Sequence, residues 1–168
     1  ANLAWHREDR NIIDFGNVSI PNSNENSLET AQNRLSDQVA IGLQKANQVL
    51  VLGGGHETTA GSFNGLLKHL KDQADKRIGI INLDAHFDLR KPGEAGVSSG
   101  TPFYQIHQAL EEIGQDLNYL CLGVSETANT KALFERAQKW NVSYMMDFEV
   151  RAHLMENVFS KIDTFLEN

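Results

Sequence analysis

Residues 48–83 read QVLVLGGGHETTAGSFNGLLKHLKDQADKRIGIINL, and this stretch decides the fold class. The apolar run Gln48 to Leu52 ends in three glycines, which stop a strand and let the chain turn. Thr58 to Lys71 carries its apolar residues at helical spacing, and Arg77 to Leu83 is a second apolar run. Strand, helix and strand in that order make a βαβ unit, whose two strands lie parallel.

The same alternation continues on both sides. Toward the N-terminus, Asn11 to Phe15 (NIIDF) reads as a short strand and Pro21 to Asn26 as a polar loop. Asn26-Ser27-Leu28-Glu29 has the form of a capping box, opening a helix from about Ser27 to Ala46. Toward the C-terminus, a polar loop runs to about Gly100, and Pro102 suits the first turn of a helix ending near Ile113-Gly114. Leu117 to Val124 is a strand, Asn129 to Trp140 a helix and Val142 to Met146 a strand, with the remainder helical. The expected architecture is a single α/β domain over residues 1–168, a three-layer α/β/α sandwich around a mainly parallel sheet. Ligands of such sheets bind beyond the carboxyl ends of the strands.

Composition narrows the partners. The formal net charge is -7 and no basic stripe appears, which argues against nucleic acid. The longest apolar runs, Val49 to Leu52 and Ile78 to Ile81, are far too short for a membrane span. No signal-like start is visible, although the chain begins without Met. The lone cysteine, Cys121, lies in the apolar stretch Tyr119-Leu120-Cys121-Leu122 and reads as a buried inert thiol in a reducing, cytoplasmic setting.

Two strand ends carry chemistry. One is Gly53-Gly54-Gly55-His56-Glu57. The other is Asp84-Ala85-His86-Phe87-Asp88-Leu89-Arg90. In extended backbone alternate residues share a face, so Asp84, His86 and Asp88 project together while Ala85 and Phe87 face the other way. Either motif alone is weak, since Asp-x-His-x-Asp can be a solvated turn and glycines often serve a tight turn. Both at βα junctions point to a metal site, with the glycines aiming His56 at the second cluster. A phosphate loop lacks support: there is no Lys-Ser/Thr of a P-loop and no dinucleotide glycine spacing. Carboxylates mixed with imidazoles suit an ion such as Mn²⁺, with Zn²⁺ and Fe²⁺ as alternatives. Water shared by two such ions has a lowered pKa and supplies hydroxide near neutral pH. His6, His69, His107 and His153 read as packing or surface histidines, and Trp5 and Trp140 as packing residues.

These two motifs resemble the first two metal motifs of the ureohydrolases, the arginase and agmatinase family. Asp14-Phe15-Gly16-Asn17 resembles an early turn of that family, and Ser99-Gly100-Thr101-Pro102-Phe103 a loop over its active site. The resemblance implies an arginase-like fold and a binuclear manganese centre that hydrolyses guanidino or formimidoyl groups. It implies that His56 and Asp88 bind one ion, that His86 binds the other and that Asp84 bridges them. The family's third motif, Ser-x-Asp-x-Asp-x-x-Asp-Pro, is absent. The chain therefore reads as part of an enzyme about twice as long, inactive alone, with an uncovered sheet edge that favours a homo-oligomer. Serine at position 99 replaces a proton-handling histidine of arginases and agmatinases. With His56-Glu57 and Asp88-Leu89-Arg90, it points to the formimidoylglutamase branch. That branch acts on N-formimidoyl-L-glutamate in histidine breakdown, releasing glutamate and formamide. Arg90, Ser99 and Asn129 are the expected substrate contacts. The alternatives are an agmatinase or other guanidino hydrolase, a deacetylase-like single-zinc enzyme, and a non-catalytic metal-binding module.

Overall fold

The computed structural model describes residues 12–20, 27–73 and 76–167. Five α-helices and three strands follow in the order α1 (Ser27–Lys45), α2 (Thr58–Leu70), β1 (Gly79–Leu83), α3 (Pro102–Glu112), β2 (Asn118–Val124), α4 (Lys131–Lys139), β3 (Ser143–Met146) and α5 (Met155–Glu167). The strands pair in the order β1-β2-β3, all parallel, with Gly79 opposite Asn118 and Leu120 opposite Ser143.

β2 shows why the sheet has helices on both faces. It is the central strand and is buried on both sides, so its residues alternate between two cores. Tyr119 and Cys121 join Phe63 of α2, Phe103, Ile106 and Leu110 of α3, and Leu133 and Ala137 of α4. Leu120 and Leu122 face the opposite way, onto Met145 of β3 and Val158 of α5. Helices on one face, the sheet and α5 on the other make the expected three layers. The α3 and α4 crossovers follow one another on the same face, and the segments leaving the carboxyl ends of β1 and β2 meet at one rim, where the Ser125 N–H donates to the Ala85 carbonyl.

α1 and α2 pack as a close pair because α2 presents glycines at positions 61 and 65. A Cβ on Gly61 would meet the Gln32 carbonyl oxygen at 2.7 Å, and one on Gly65 would meet the Ser36 oxygen and Val39 Cβ, both at 2.6 Å. Gly65→Ala gains about 1 kcal/mol of helix propensity. It forces apart two backbones at a cost of roughly 1–3 kcal/mol. The expected net result is a loss of stability, read as a fall in Tm of a few degrees. An unchanged or raised Tm would show that the helix pair yields freely.

Two expected strands are not formed. Residues 12–15 are irregular, with Ile12 75% and Ile13 50% exposed, and Asn11 lies outside the described residues, as do the loop 21–26 and the Asn26 cap. Residues 48–52 have no ladder partner among the described residues, and Leu50 and Leu52 are 81% and 82% exposed. A single extended segment with nothing to exchange backbone hydrogen bonds with is not a stable strand. β1 likewise pairs with β2 alone among the described residues, and Leu83 is 78% exposed. The uncovered apolar edge expected from the sequence is therefore present.

Candidate metal centre

The approach to His56 is a turn that glycine makes possible. Gly53 and Gly54 both lie in the left-handed region, at φ +84° and +79°. A Cβ on Gly54 would stand 2.5 Å from the Thr58 side chain. Thr58 closes the turn, its amide and hydroxyl both donating to the Gly55 carbonyl. His56 then stands at the entry to α2, its ring edge-on to Phe103 at 5.6 Å between centroids. The residue is thus delivered by an extended segment rather than by a strand adjacent to β1.

Opposite it, the chain leaves β1 at Leu83 and runs through Asp84 to Arg90. Asp84 Oδ2 lies 3.1 Å from His56 Nδ1, and Asp88 Oδ2 lies 2.5 Å from the same nitrogen. One ligand atom from each of His56, Asp84 and Asp88 falls within 4.8 Å of the others. His86 stands on the far side of Asp84, with Nδ1 3.2 Å from Oδ1, and its backbone N–H donates to that oxygen at 2.9 Å. The Asp84 carboxylate thus has an imidazole on each oxygen. All four residues retain solvent access, from 12% for Asp88 to 51% for His86.

The extended alternation does not reach Asp88, whose φ is +47°. The backbone turns there because Phe87 and Leu89 are both fully buried and the Asp88 carbonyl accepts the Phe103 N–H. Aspartate tolerates this conformation better than most residues. The turn directs the carboxylate to His56.

The donor set fits a divalent ion. Two carboxylates and an imidazole nitrogen converge at a partly solvent-exposed position, the ligand types that suit Mn²⁺ and related ions. Electrostatics agree. The hydrogen bond to Asp88 raises the pKa of His56 above its ordinary 6.5; burial opposes this, while the negative charges of Asp88, Asp84 and Glu57 support it. In protein stripped of metal by chelation, the imidazolium contact contributes stability that is fully present below pH 6.5 and is lost as pH rises through the raised pKa. Metal needs the neutral imidazole, so its affinity rises across the same window. Melting curves with chelator and with Mn²⁺ should therefore change in opposite directions above pH 6.5. Parallel curves would exclude His56 as a ligand.

The remaining expected residues fall outside this cluster. Arg90 is exposed, its stem lying over Gly100, and its guanidinium has no hydrogen-bond or ion-pair partner among the described residues. Ser99 is exposed on the turn before α3. Asn129, expected to face substrate, instead directs its amide to the backbone. Nδ2 donates to the carbonyls of Ala85 and Ser125, both at 2.8 Å, and Oδ1 accepts the Phe87 N–H at 3.0 Å.

Beneath the loop lie Tyr119 and Cys121, the latter buried as expected, in a role toward the loop that the sequence did not suggest. The Tyr119 hydroxyl accepts from Asn82 at 3.0 Å and donates to the Phe87 carbonyl at 3.2 Å. The Cys121 thiol points at the carbonyls of Asp84 and His86. Burial raises both acids, the thiol to about 11 and the phenol well above its ordinary range, so each stays a protonated donor. Their signal in the sequence is only that positions 119 and 121 share a face of β2.

Comparison with known proteins gives a consistent pattern. The arginase family model matches residues 1–168. Formimidoylglutamase from Aeromonas salmonicida (strain A449) is 45% identical over 166 residues, covering 99% of this chain and 51% of the relative. The chain spans about half the length of the curated relatives it matches. Formimidoylglutamase from Bacillus subtilis superposes with a TM-score of 0.72 at 21% identity, over 92% of this chain and 46% of that one, a likeness of fold. Formiminoglutamase from Trypanosoma cruzi, solved with Mn²⁺, has a TM-score of 0.63 at 28% identity, over 74% of this chain and 40% of that one.

Proposed function

The chain belongs to the arginase family, and on that premise we propose that it contributes the first metal motifs of a manganese-dependent formimidoylglutamase. The observation that carries the reading is the Asp84 carboxylate with His56 on one oxygen and His86 on the other, and Asp88 closing on His56. This arrangement supports a two-ion assignment: His56 and Asp88 to one ion, His86 to the second, and Asp84 between them. The ions, when bound, supply a nucleophile by lowering the pKa of water. The chain's own residues hold the ligands in place and leave them partly exposed to solvent. The remaining ligands would come from the part of the longer relatives that this chain does not span.

Choice of substrate rests on the likeness to formimidoylglutamases and on two loop residues. In this reading Arg90 receives a carboxylate of N-formimidoyl-L-glutamate, supported by its exposed guanidinium without a partner among the described residues, and Ser99 stands where the resemblance puts a histidine in arginases. The reaction would release glutamate and formamide in the breakdown of histidine. A cytoplasmic setting and a homo-oligomer are part of the same proposal. No helix among the described residues is long and apolar enough to cross a membrane. The test is an assay of the complete enzyme, loaded with Mn²⁺, against formimidoylglutamate, agmatine and arginine. Formamide from the first substrate is expected. Urea from agmatine, with none of the expected product, would overturn the assignment in favour of a guanidino hydrolase.

A further inference from the structure

We propose that Asn129 and Tyr119 are positioning residues for the metal loop, acting through its backbone to set the directions of Asp84, His86 and Asp88. The inference rests on the metal reading of that loop. Residues 84–89 are irregular, yet most of their carbonyls have a donor. The single S–H of Cys121 lies near the carbonyls of both His86, at 3.4 Å, and Asp84, at 3.7 Å, while Asn129 and the Ser125 N–H serve Ala85. Tyr119 serves Phe87, the Phe103 N–H serves Asp88, and Arg136 serves Leu89 at 2.6 Å. Arg136 itself lies over both the Tyr104 and Trp140 rings.

Within this set Asn129 has a special place. Its carboxamide bonds the loop at both Ala85 and Phe87, the two residues that alternate with the ligands Asp84, His86 and Asp88. An amide is the side chain that offers an acceptor and two donors in one rigid plane, and here the acceptor and both donors are used on backbone. Fixing the backbone at Ala85 and Phe87 fixes the peptide units from which the Asp84 and His86 side chains leave and the approach to the turn at Asp88. Tyr119 holds the next carbonyl, immediately before the left-handed turn at Asp88. Buried partners that orient ligands in this way commonly affect metal affinity about 10–100-fold.

The experiment uses the complete enzyme and Mn²⁺ as the probe. Mn²⁺ affinity is measured by titration calorimetry in the wild type, Asn129→Ala and Tyr119→Phe. The kcat and KM for formimidoylglutamate are then determined at saturating Mn²⁺. Tyr119→Phe removes one hydroxyl without changing the ring, so it reports even if Asn129→Ala does not fold. The expected result is a weakening of Mn²⁺ binding by about 10–100-fold in Asn129→Ala, with a smaller loss in Tyr119→Phe. KM should stay close to the wild-type value once metal saturates. A raised KM with unchanged Mn²⁺ affinity would overturn the proposal and make Asn129 a substrate contact. Unchanged affinity in both variants would overturn it as well. If the wild type itself binds no Mn²⁺, the metal reading fails first and this inference fails with it.

Discussion

Asp84→Asn in the complete enzyme should remove most bound Mn²⁺ and lower kcat/KM by about three orders of magnitude, on the order of 4 kcal/mol. The substitution keeps the side chain's size and deletes one negative charge. That charge lies within 3.2 Å of two imidazoles and faces the same histidine nitrogen as Asp88. Losing it removes a ligand from the centre of the cluster rather than from its edge. The fold should survive, because the Asp84 backbone keeps its bond from N–H to the Leu122 carbonyl. Metal analysis after desalting, paired with a melting curve, separates the two effects. Wild-type metal content in this variant would show that Asp84 is no ligand.

Arg90→Ala should raise KM for formimidoylglutamate and lower kcat/KM by a factor corresponding to ~2–4 kcal/mol, with metal content unchanged. The guanidinium lies just beyond the metal loop, is exposed and is not committed to any partner among the described residues. Its stem lies against Gly100, and the Arg90 backbone N–H donates to the Gly100 carbonyl at 2.9 Å, which fixes the chain from which the side chain extends. A planar, permanently charged donor held in this way suits bidentate capture of a carboxylate. It would repel agmatine, which is cationic. Arg90→Lys should restore only part of the loss, because an ammonium lacks the fork geometry. Wild-type kinetics in Arg90→Ala would remove the carboxylate role and weaken the choice of this branch of the family.

The elements that depend on local period were legible in the sequence. β2 was visible as an apolar run and α3 through Pro102 and its following apolar spacing, and both appear within a residue or two of the expected bounds. The segment 48–52 was not, because an apolar run shows that a strand is possible and not that a neighbour exists to pair with it. His56, Asp84 and Asp88 could be grouped from sequence because both motifs follow apolar runs and end in ligand-type side chains. The turn at Asp88 was hidden, since it depends on Phe87 and Leu89 burying themselves in a core that no local pattern specifies. Tyr119, Cys121 and Asn129 were hidden for a related reason. Their partners are backbone atoms more than thirty residues away, and backbone leaves no trace in residue identity.

The bonded backbone from Asp84 to Leu89 also has a consequence in time. Irregular segments usually open on their own and exchange their amide hydrogens with water quickly. This one cannot open without breaking bonds to β2, to the start of α3 and to α4 together. The Phe87 amide, closed off by Asn129 from behind, therefore exchanges on the timescale of the sheet. The aspartates are immobilised when the chain folds, and the conformational entropy of ordering them is lost at that step rather than when an ion arrives.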